Sequence, residues 1–170
     1  ADCVALVRGD PAAAIGAGLD LDAPEAKLVV DIGAGKISAT LFTLGRIASY
    51  GYLPYGMNRI DERVQRGIRL NYGYRIGTAQ AASYKIGDLN GDGRISASDV
   101  LMHMTGFSIS ERVPKVFDVE TRPVLEACED VVREIIGLVA SVVDNAPEEL
   151  SADLTDAGAV LTGAGAELTG

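Results

Sequence analysis

Two short glycine-containing segments have residue types that could bind a phosphate group. The first, Asp31 to Lys36, reads Asp-Ile-Gly-Ala-Gly-Lys and begins inside the apolar run 28–32, whose β-branched residues predict a buried strand. Gly33 and Gly35 permit backbone conformations closed to other residues, and successive amides in such a bend can point at an anion. Asp31, at the end of the strand, could face a metal-bound phosphate. A β-meander with a glycine hairpin and no ligand fits the same residues.

The second segment, Gly163-Ala164-Gly165, follows another predicted strand, Gly158 to Thr162. Ligands of open α/β sheets bind in the crevice outside the strand ends, and glycine bends there allow the backbone to approach them. The two strand-to-glycine transitions, at Gly33 and at Gly163, are therefore candidates for the two sides of one ligand cleft.

A third segment, Asp88 to Asp99, has the spacing of a twelve-residue calcium loop. Gly93 would permit its sharp turn, and the oxygen ligands would come from Asp88, Asn90, Asp92, Asp99 and the carbonyl of Arg94. The segment also resembles one half of a dockerin, although dockerins carry two copies and this sequence has one. An acidic, glycine-rich connection without a metal is the alternative, because Asn-Gly and Asp-Gly favour turns. His103 has no neighbouring His or Cys and is predicted to be structural.

Composition narrows the classes of partner. The 170 residues include 24 acidic and 15 basic side chains, for a formal net charge of -9, and no run of Lys or Arg stands out. Nucleic acids and anionic lipids both require a basic surface, so neither is expected as a partner. The longest apolar region, Val131 to Val143, is too short and too polar to span a bilayer. No signal-peptide pattern is apparent, which favours a cytoplasmic location.

The elements that would position these segments alternate between strands and helices. Predicted strands cover 3–7, 28–32, 37–44, 47–53, 100–104, 107–109, 115–119 and 158–162. Predicted helices begin near Asp10, Asn58, Thr78, Thr121 and Glu148. The helix from Thr121 has the clearest apolar stripe, formed by Val124, Leu125, Cys128, Val131, Val132, Ile135, Ile136, Val139 and Val143.

Four motifs, taken together, resemble the bacterial actins, the filament proteins MreB and its magnetosome relative MamK. They are Pro11 to Gly18, Val29 to Gly35, Asn58 to Arg63 and Val160 to Gly165, and they come in the family's order at about its spacing. The resemblance implies the second lobe of an α/β, actin-like ATPase fold of ribonuclease-H type. It places the large sub-domain at 1–56 and 121–170 and a smaller inserted α/β sub-domain at 57–120.

The resemblance also implies a nucleotide site for ATP or ADP with Mg. Its phosphate loop corresponds to Asp31, Gly33, Ala34, Gly35 and Lys36, and its adenosine loop to Gly163, Ala164 and Gly165. The family's first phosphate loop, contributed by the other lobe, has no counterpart in this sequence. The chain is therefore expected to be a piece of a longer protein or to have lost that lobe.

Three departures from the family bear on hydrolysis. Lys36 stands where the family usually has Thr, and the water-orienting Glu of the family corresponds to Gly9 without a gap or to Asp10 with one. Ala34 and Ala164 replace glycines of the two loops. Because groups that orient water contribute orders of magnitude in rate, we expect little ATP hydrolysis.

The sequence therefore predicts an actin-like cytoskeletal domain that associates with itself or with other filament subunits and has a degenerate nucleotide site. One alternative is an active ATPase lobe of a filament-forming bacterial actin. Another is a calcium-dependent binding module. Titration with ATP and magnesium, phosphate-release assays on the full-length protein, and calcium titrations of thermal stability would distinguish these three functions.

Overall fold

The computed structural model describes residues 6–86 and 101–167, and all structural statements concern those residues. Five helices are present: α1 (Gly9–Gly16), α2 (Asn58–Tyr72), α3 (Thr78–Ile86), α4 (Arg122–Asp144) and α5 (Ser151–Ala157). Seven strands accompany them: β1 (Lys27–Ile32), β2 (Ile37–Thr43), β3 (Arg46–Leu53), β4 (Tyr74–Arg75), β5 (Leu101–Ser108), β6 (Pro114–Glu120) and β7 (Ala159–Thr162). Two compact units result, one from the residues up to Gly56 with Ile135–Ala166, and one from Met57–Glu134.

The first unit is organised around a four-stranded sheet in the order β3-β2-β1-β7. β1 pairs antiparallel with β2 and parallel with β7, so the sheet is mixed. The first six residues of β2, Ile37 to Phe42, are all buried. A strand buried on both faces needs apolar or small side chains throughout, and here four of the six are apolar and the other two, Ser38 and Thr40, are small hydroxyl residues.

Helices pack against both faces of this sheet. On one face Ala14 of α1 packs with Val29 and Phe42 in a buried cluster. On the other face the α4 side chains of Leu138 and Val142 lie against the backbone of Gly51 on β3, at 2.8 and 3.0 Å from an added Cβ. The result is a three-layer α/β/α arrangement.

The second unit contains the three-stranded sheet β4-β5-β6, together with α2, α3 and the first half of α4. α2 buries Ile60, Val64 and Ile68, which recur every fourth residue and form one face of the helix. The helix ends at Gly73, whose φ of 73° is the left-handed cap conformation that glycine adopts without strain.

Several sequence predictions of local structure were wrong. Leu6 and Val7 are not in a strand, and the rest of the predicted strand 3–7 lies outside the described residues. β5 is one continuous strand and not two pieces. Gly106, which lies between the two predicted pieces, is covered by the Phe117 ring, 2.8 Å from where its Cβ would lie. The short strand β4 had not been predicted.

The apolar stripe predicted for α4 is also partly wrong. Val131 is fully buried as expected, but Val132 and Ile136 are 45% and 63% exposed. Val142, which the stripe omitted, is buried. A 23-residue helix that packs against different elements along its length does not keep one apolar face, and periodicity assumes that it does.

Candidate functional site

The turn between β1 and β2 carries the predicted phosphate loop. Gly33 donates its amide hydrogen to the carbonyl oxygen of Lys36 at 3.0 Å, which closes a four-residue bend. Ala34 and Gly35 at its tip are exposed. Within the described part of the chain, neither of their amides donates a hydrogen bond to the protein. Two exposed amides in a tight bend are suited to bind an anion from solution, because both N–H groups are free to donate hydrogen bonds to it.

A glycine after β3 supports this turn from behind. A Cβ added at Gly56 would lie 2.1 Å from the carbonyl oxygen of Gly33 and 2.6 Å from that of Ala34. No side chain fits there, so the backbone of Gly56 lies directly against the turn and restrains its conformation.

The second glycine bend lies beside the first at the end of β1. β7 runs parallel to β1, with Asp31 opposite Thr162, and the chain then bends at Gly163 with φ of 85°. A Cβ at Gly163 would meet the Ile32 carbonyl oxygen at 2.6 Å and Asp31 Oδ1 at 2.7 Å. The two transitions singled out from the sequence therefore occur at the same end of two adjacent strands.

The rest of this segment forms a short 3-10 turn over Ala164–Glu167. Ala166 donates its amide hydrogen to the Gly163 carbonyl oxygen at 3.0 Å. Ala164 is exposed and Gly165 is buried. The methyl group of Ala164 thus lies on the surface of the bend, as does that of Ala34 in the first turn.

Lys36 does not project alone from the turn between β1 and β2, because α1 provides a carboxylate partner. Lys36 Nζ lies 3.2 Å from Oδ1 of Asp10, and the same oxygen accepts a hydrogen bond from Ser38 Oγ at 2.8 Å. Arg8 contacts the other carboxylate oxygen at 3.5 Å. Asp10 is 5% exposed, in the first turn of α1, where the helix dipole favours a negative charge. Of the two alternatives for the family's Glu, Asp10 and not Gly9 faces Lys36.

The pKa values of this pair are shifted in the directions that favour both charges. Burial raises the pKa of Asp10, but hydrogen bonds from Ser38, Lys36 and Arg8 outweigh it, and the net pKa is lowered. Burial lowers the pKa of Lys36, but the hydrogen bond and charge of Asp10 outweigh it, and the net pKa is raised. The pair is therefore ionised at neutral pH.

Sequence reasoning missed four residues around this pair. Ser38 is one of two buried polar residues of β2, with Thr40, and a hydroxyl among apolar strand residues is the signal that could have identified it. On β3, the rings of Tyr50 and Tyr52 stack with centroids 6.0 Å apart, and Arg8 lies over the Tyr50 ring at 5.5 Å. Both tyrosines lie on the face of the sheet that α1 packs against.

The predicted calcium ligands Asp88, Asn90, Asp92, Arg94 and Asp99 all lie outside the described residues, so that site stays a prediction. Over residues 6–86 and 101–167, no three His, Cys, Asp or Glu side chains are grouped closely enough to hold a metal ion. His103 contacts the carboxylate of Asp118 on the neighbouring strand.

Comparison with known proteins agrees with this architecture. The chain is 32% identical over 167 residues to the cell shape-determining protein MreB of Escherichia coli, a match that covers 97% of this chain and 47% of MreB. A crystal structure of MreB5 of Spiroplasma citri bound to AMPPNP superposes with a TM-score of 0.77 and 26% identity over 92% of this chain and 46% of that one. A MamK double helical filament shares the fold, with a TM-score of 0.61 and 22% identity over 85% of this chain and 43% of that one.

These matches confirm the predicted α/β, actin-like fold. The chain spans about half the length of the relatives that it matches. None of the described helices combines the length and apolarity required to cross a membrane. The family model for the MreB/Mbl protein matches residues 1–170, and the chain therefore belongs to the MreB/Mbl family of bacterial actin-like proteins.

Proposed function

We propose that this chain is the nucleotide-binding lobe of an actin-like cytoskeletal protein that associates with copies of itself and hydrolyses nucleotide slowly or not at all. Family membership and the AMPPNP-bound relative support nucleotide binding. The relative solved as a double helical filament supports self-association. Because the chain spans about half of its relatives, the activity and partners of the whole protein are part of this proposal.

The nucleotide would lie along the end of β1 and β7. The exposed amides of Ala34 and Gly35 are suited to the terminal phosphates, and the bend from Gly163 to Gly165 to the adenosine. Asp31, half-buried at the strand end, would face a phosphate-bound Mg. Magnesium usually completes its coordination with waters and substrate phosphates, so a single nearby carboxylate is sufficient. The ion would neutralise charge on the phosphates.

The observation that carries the slow-hydrolysis part of this proposal is the ion pair between Asp10 and Lys36. To orient water for attack on phosphorus, a carboxylate must have an oxygen available to accept a hydrogen bond from that water. Oδ1 of Asp10 already accepts hydrogen bonds from Ser38 and Lys36, and Oδ2 is in contact with Arg8. Asp10 is thus committed to protein groups, and its short side chain reaches less far than Glu.

Calorimetric titration with ATP and magnesium, together with phosphate release from the full-length protein, tests the proposal. We expect binding with very slow release in the native protein. In Lys36→Thr the cation leaves Asp10 and a hydroxyl takes its place, so release should rise by at least tenfold. Lys27→Thr, on the same strand pair but outside the turn, is the matched control and should leave release unchanged. Brisk release by the native protein would instead identify an active ATPase lobe.

Self-association is measured separately by sedimentation of the full-length protein. We expect pelleted polymer with AMPPNP, since one structural relative was solved with AMPPNP and another as a filament. A protein that binds nucleotide but stays monomeric at every concentration tested would contradict the cytoskeletal part of the proposal and leave nucleotide binding intact.

Calcium binding at residues 88–99 is a separate function favoured by the ligand spacing Asp88, Asn90, Asp92 and Asp99. Binding to the folded state would raise the melting temperature with calcium concentration by mass action. Asp88→Ala combined with Asp92→Ala should abolish that rise. A melting temperature that does not respond to millimolar calcium would eliminate this function.

A further inference from the structure

A groove in the second unit is lined by arginine side chains from α2 and β4. It lies between α2 and the chain around β4 and has a volume of about 370 Å³. The residues that line it are Glu62, Gln65, Arg66, Arg69, Arg75 and Ile76. Three guanidinium groups thus face one carboxylate, although the whole chain has a net charge of -9. The local excess of positive charge is opposite in sign to the rest of the protein.

These arginines differ from the other two on α2 in their partners. Arg59 lies 3.5 Å from Glu134, and Arg63 lies within 3.5 Å of both Asp130 and Glu134. By contrast, no carboxylate among residues 6–86 and 101–167 is within ion-pair distance of Arg66, Arg69 or Arg75. All three are exposed.

The groove is held in place by the packing beneath it. Gln65 donates a hydrogen bond from Nε2 to the carbonyl oxygen of Ile76 at 3.1 Å, which ties α2 to the segment after β4. Ile76 is 8% exposed, so its side chain forms an apolar floor. The guanidinium of Arg75 stacks over the Phe107 ring at 5.3 Å, which restricts its orientation.

We infer that this groove binds a short acidic peptide segment, rich in Asp and Glu, of a partner protein. Guanidinium groups bind carboxylates through paired, charge-assisted hydrogen bonds, and an ordered arginine loses less freedom on binding. The volume matches a few side chains, at the lower end of typical ligand sites. Long polyanions such as nucleic acids, and anionic membranes, would also approach the acidic remainder of the chain and be repelled by it. A short peptide avoids that repulsion.

Fluorescence anisotropy with a labelled peptide of six glutamates, at low and at physiological salt, tests the inference on the full-length protein. We expect saturable binding that weakens as salt rises. The triple variant Arg66→Gln, Arg69→Gln, Arg75→Gln should bind at least about tenfold more weakly, because three charged contacts are lost. The control triple Arg46→Gln, Arg122→Gln, Arg133→Gln makes the same change in net charge elsewhere and should lose less than about twofold.

Circular dichroism melting checks that both triple variants remain folded, and since all six side chains are exposed we expect both to do so. Equal loss of binding in the two triples would overturn the inference, because net charge alone would then explain it. Absence of saturable peptide binding would overturn it, and so would equal or tighter binding of inorganic phosphate or of vesicles with phosphatidylserine. Nucleotide binding in the first unit is measured separately and does not depend on this result.

Discussion

The two cationic sites of this protein differ in whether their positive charges have a carboxylate partner. At the turn between β1 and β2, Lys36 is paired with the buried carboxylate of Asp10, which also accepts hydrogen bonds from Ser38 and Arg8. In the groove beside α2, Arg66, Arg69 and Arg75 have no carboxylate partner among the described residues. The first site is satisfied within the protein, whereas the second leaves its charges exposed to whatever binds there.

The difference separates charges that contribute to folding from charges available for binding. A buried carboxylate must find donors or destabilise the fold, so Asp10 and its partners are part of the packing of α1 on the sheet. Exposed guanidinium groups remain hydrated and contribute little to stability. Substitutions at the turn should therefore change the free energy of unfolding, and substitutions in the groove should change binding.

The largest expected contrast comes from replacing a glycine by alanine in each region. Gly56→Ala places a methyl group 2.1 Å from the Gly33 carbonyl oxygen, and we expect destabilisation of about 3 kcal/mol or more. Gly67, inside α2, has open space at its Cβ position, and Gly67→Ala should stabilise the helix by about 0.5 to 1 kcal/mol. Urea unfolding measures both. A Gly56→Ala variant as stable as the native protein would show that the backbone of Gly56 does not constrain the turn.

The next contrast compares a single charge in each region. Asp10→Ala leaves the buried hydroxyl of Ser38 without its acceptor, and we expect a loss of about 2 kcal/mol. Arg69→Gln, an exposed change, should alter stability by less than about 0.5 kcal/mol. The same unfolding experiment serves for both variants. Losses of similar size would mean that Asp10 is not a structural carboxylate.

Part of the dependence of stability on pH should come from the Asp10–Lys36 pair. The pKa of Asp10 is lowered in the folded protein, so its contribution is fully present above about pH 4 and is lost as pH falls through the folded pKa. The pKa of Lys36 is raised, so its contribution is present below about pH 10.5 and is lost as pH rises through the folded value.

Melting curves of the native protein and Asp10→Asn measure this effect. The difference in melting temperature should be constant between pH 5 and 9, since both groups are charged there. It should shrink as the pH falls below about 4, where Asp10 becomes protonated in the unfolded and then in the folded protein. A difference that persists unchanged at pH 2 would rule out the charge of Asp10 as its source.

The smallest effect is expected from the paired arginines of α2. Glu134→Gln removes the shared partner of Arg59 and Arg63, both of which are about one-third exposed. Exposed ion pairs contribute little, so the stability should change by less than about 1 kcal/mol. Affinity for the hexaglutamate peptide should stay the same, because neither arginine lines the groove. Tighter peptide binding by this variant would indicate that the binding surface extends toward α4.

Local patterns in the sequence were sufficient for most of the fold. The four-residue spacing of Ile60, Val64 and Ile68 identified α2 and its buried face. Prediction failed where distant residues decide the outcome. The ring of Phe117 lies over Gly106 and stacks on Tyr74 at 3.9 Å, which allows a glycine inside β5. No local pattern reveals a ring that arrives from another strand.

The candidate site was predictable to a similar extent. The glycine bends at Gly33 and Gly163 were identified from the sequence, and they are neighbours because β1 and β7 pair in parallel. The partner of Lys36 was not predicted, because Asp10 lies 26 positions earlier and reaches the turn only through the packing of α1. The groove arginines were not predicted as a site either. In the sequence, Arg66 and Arg69 are typical of a solvated helix face, and nothing local indicates that Arg75 lies beside them.

The pairing of β7 with β1 has a consequence for synthesis. The two strands are roughly 130 residues apart in sequence, so closing this contact requires a long loop to be ordered first. A ribosome that has translated only as far as α4 carries β1 with one edge open. The nascent chain therefore cannot bring the two glycine bends together until the residues around Gly163 have emerged, so the proposed nucleotide site would be incomplete before that point.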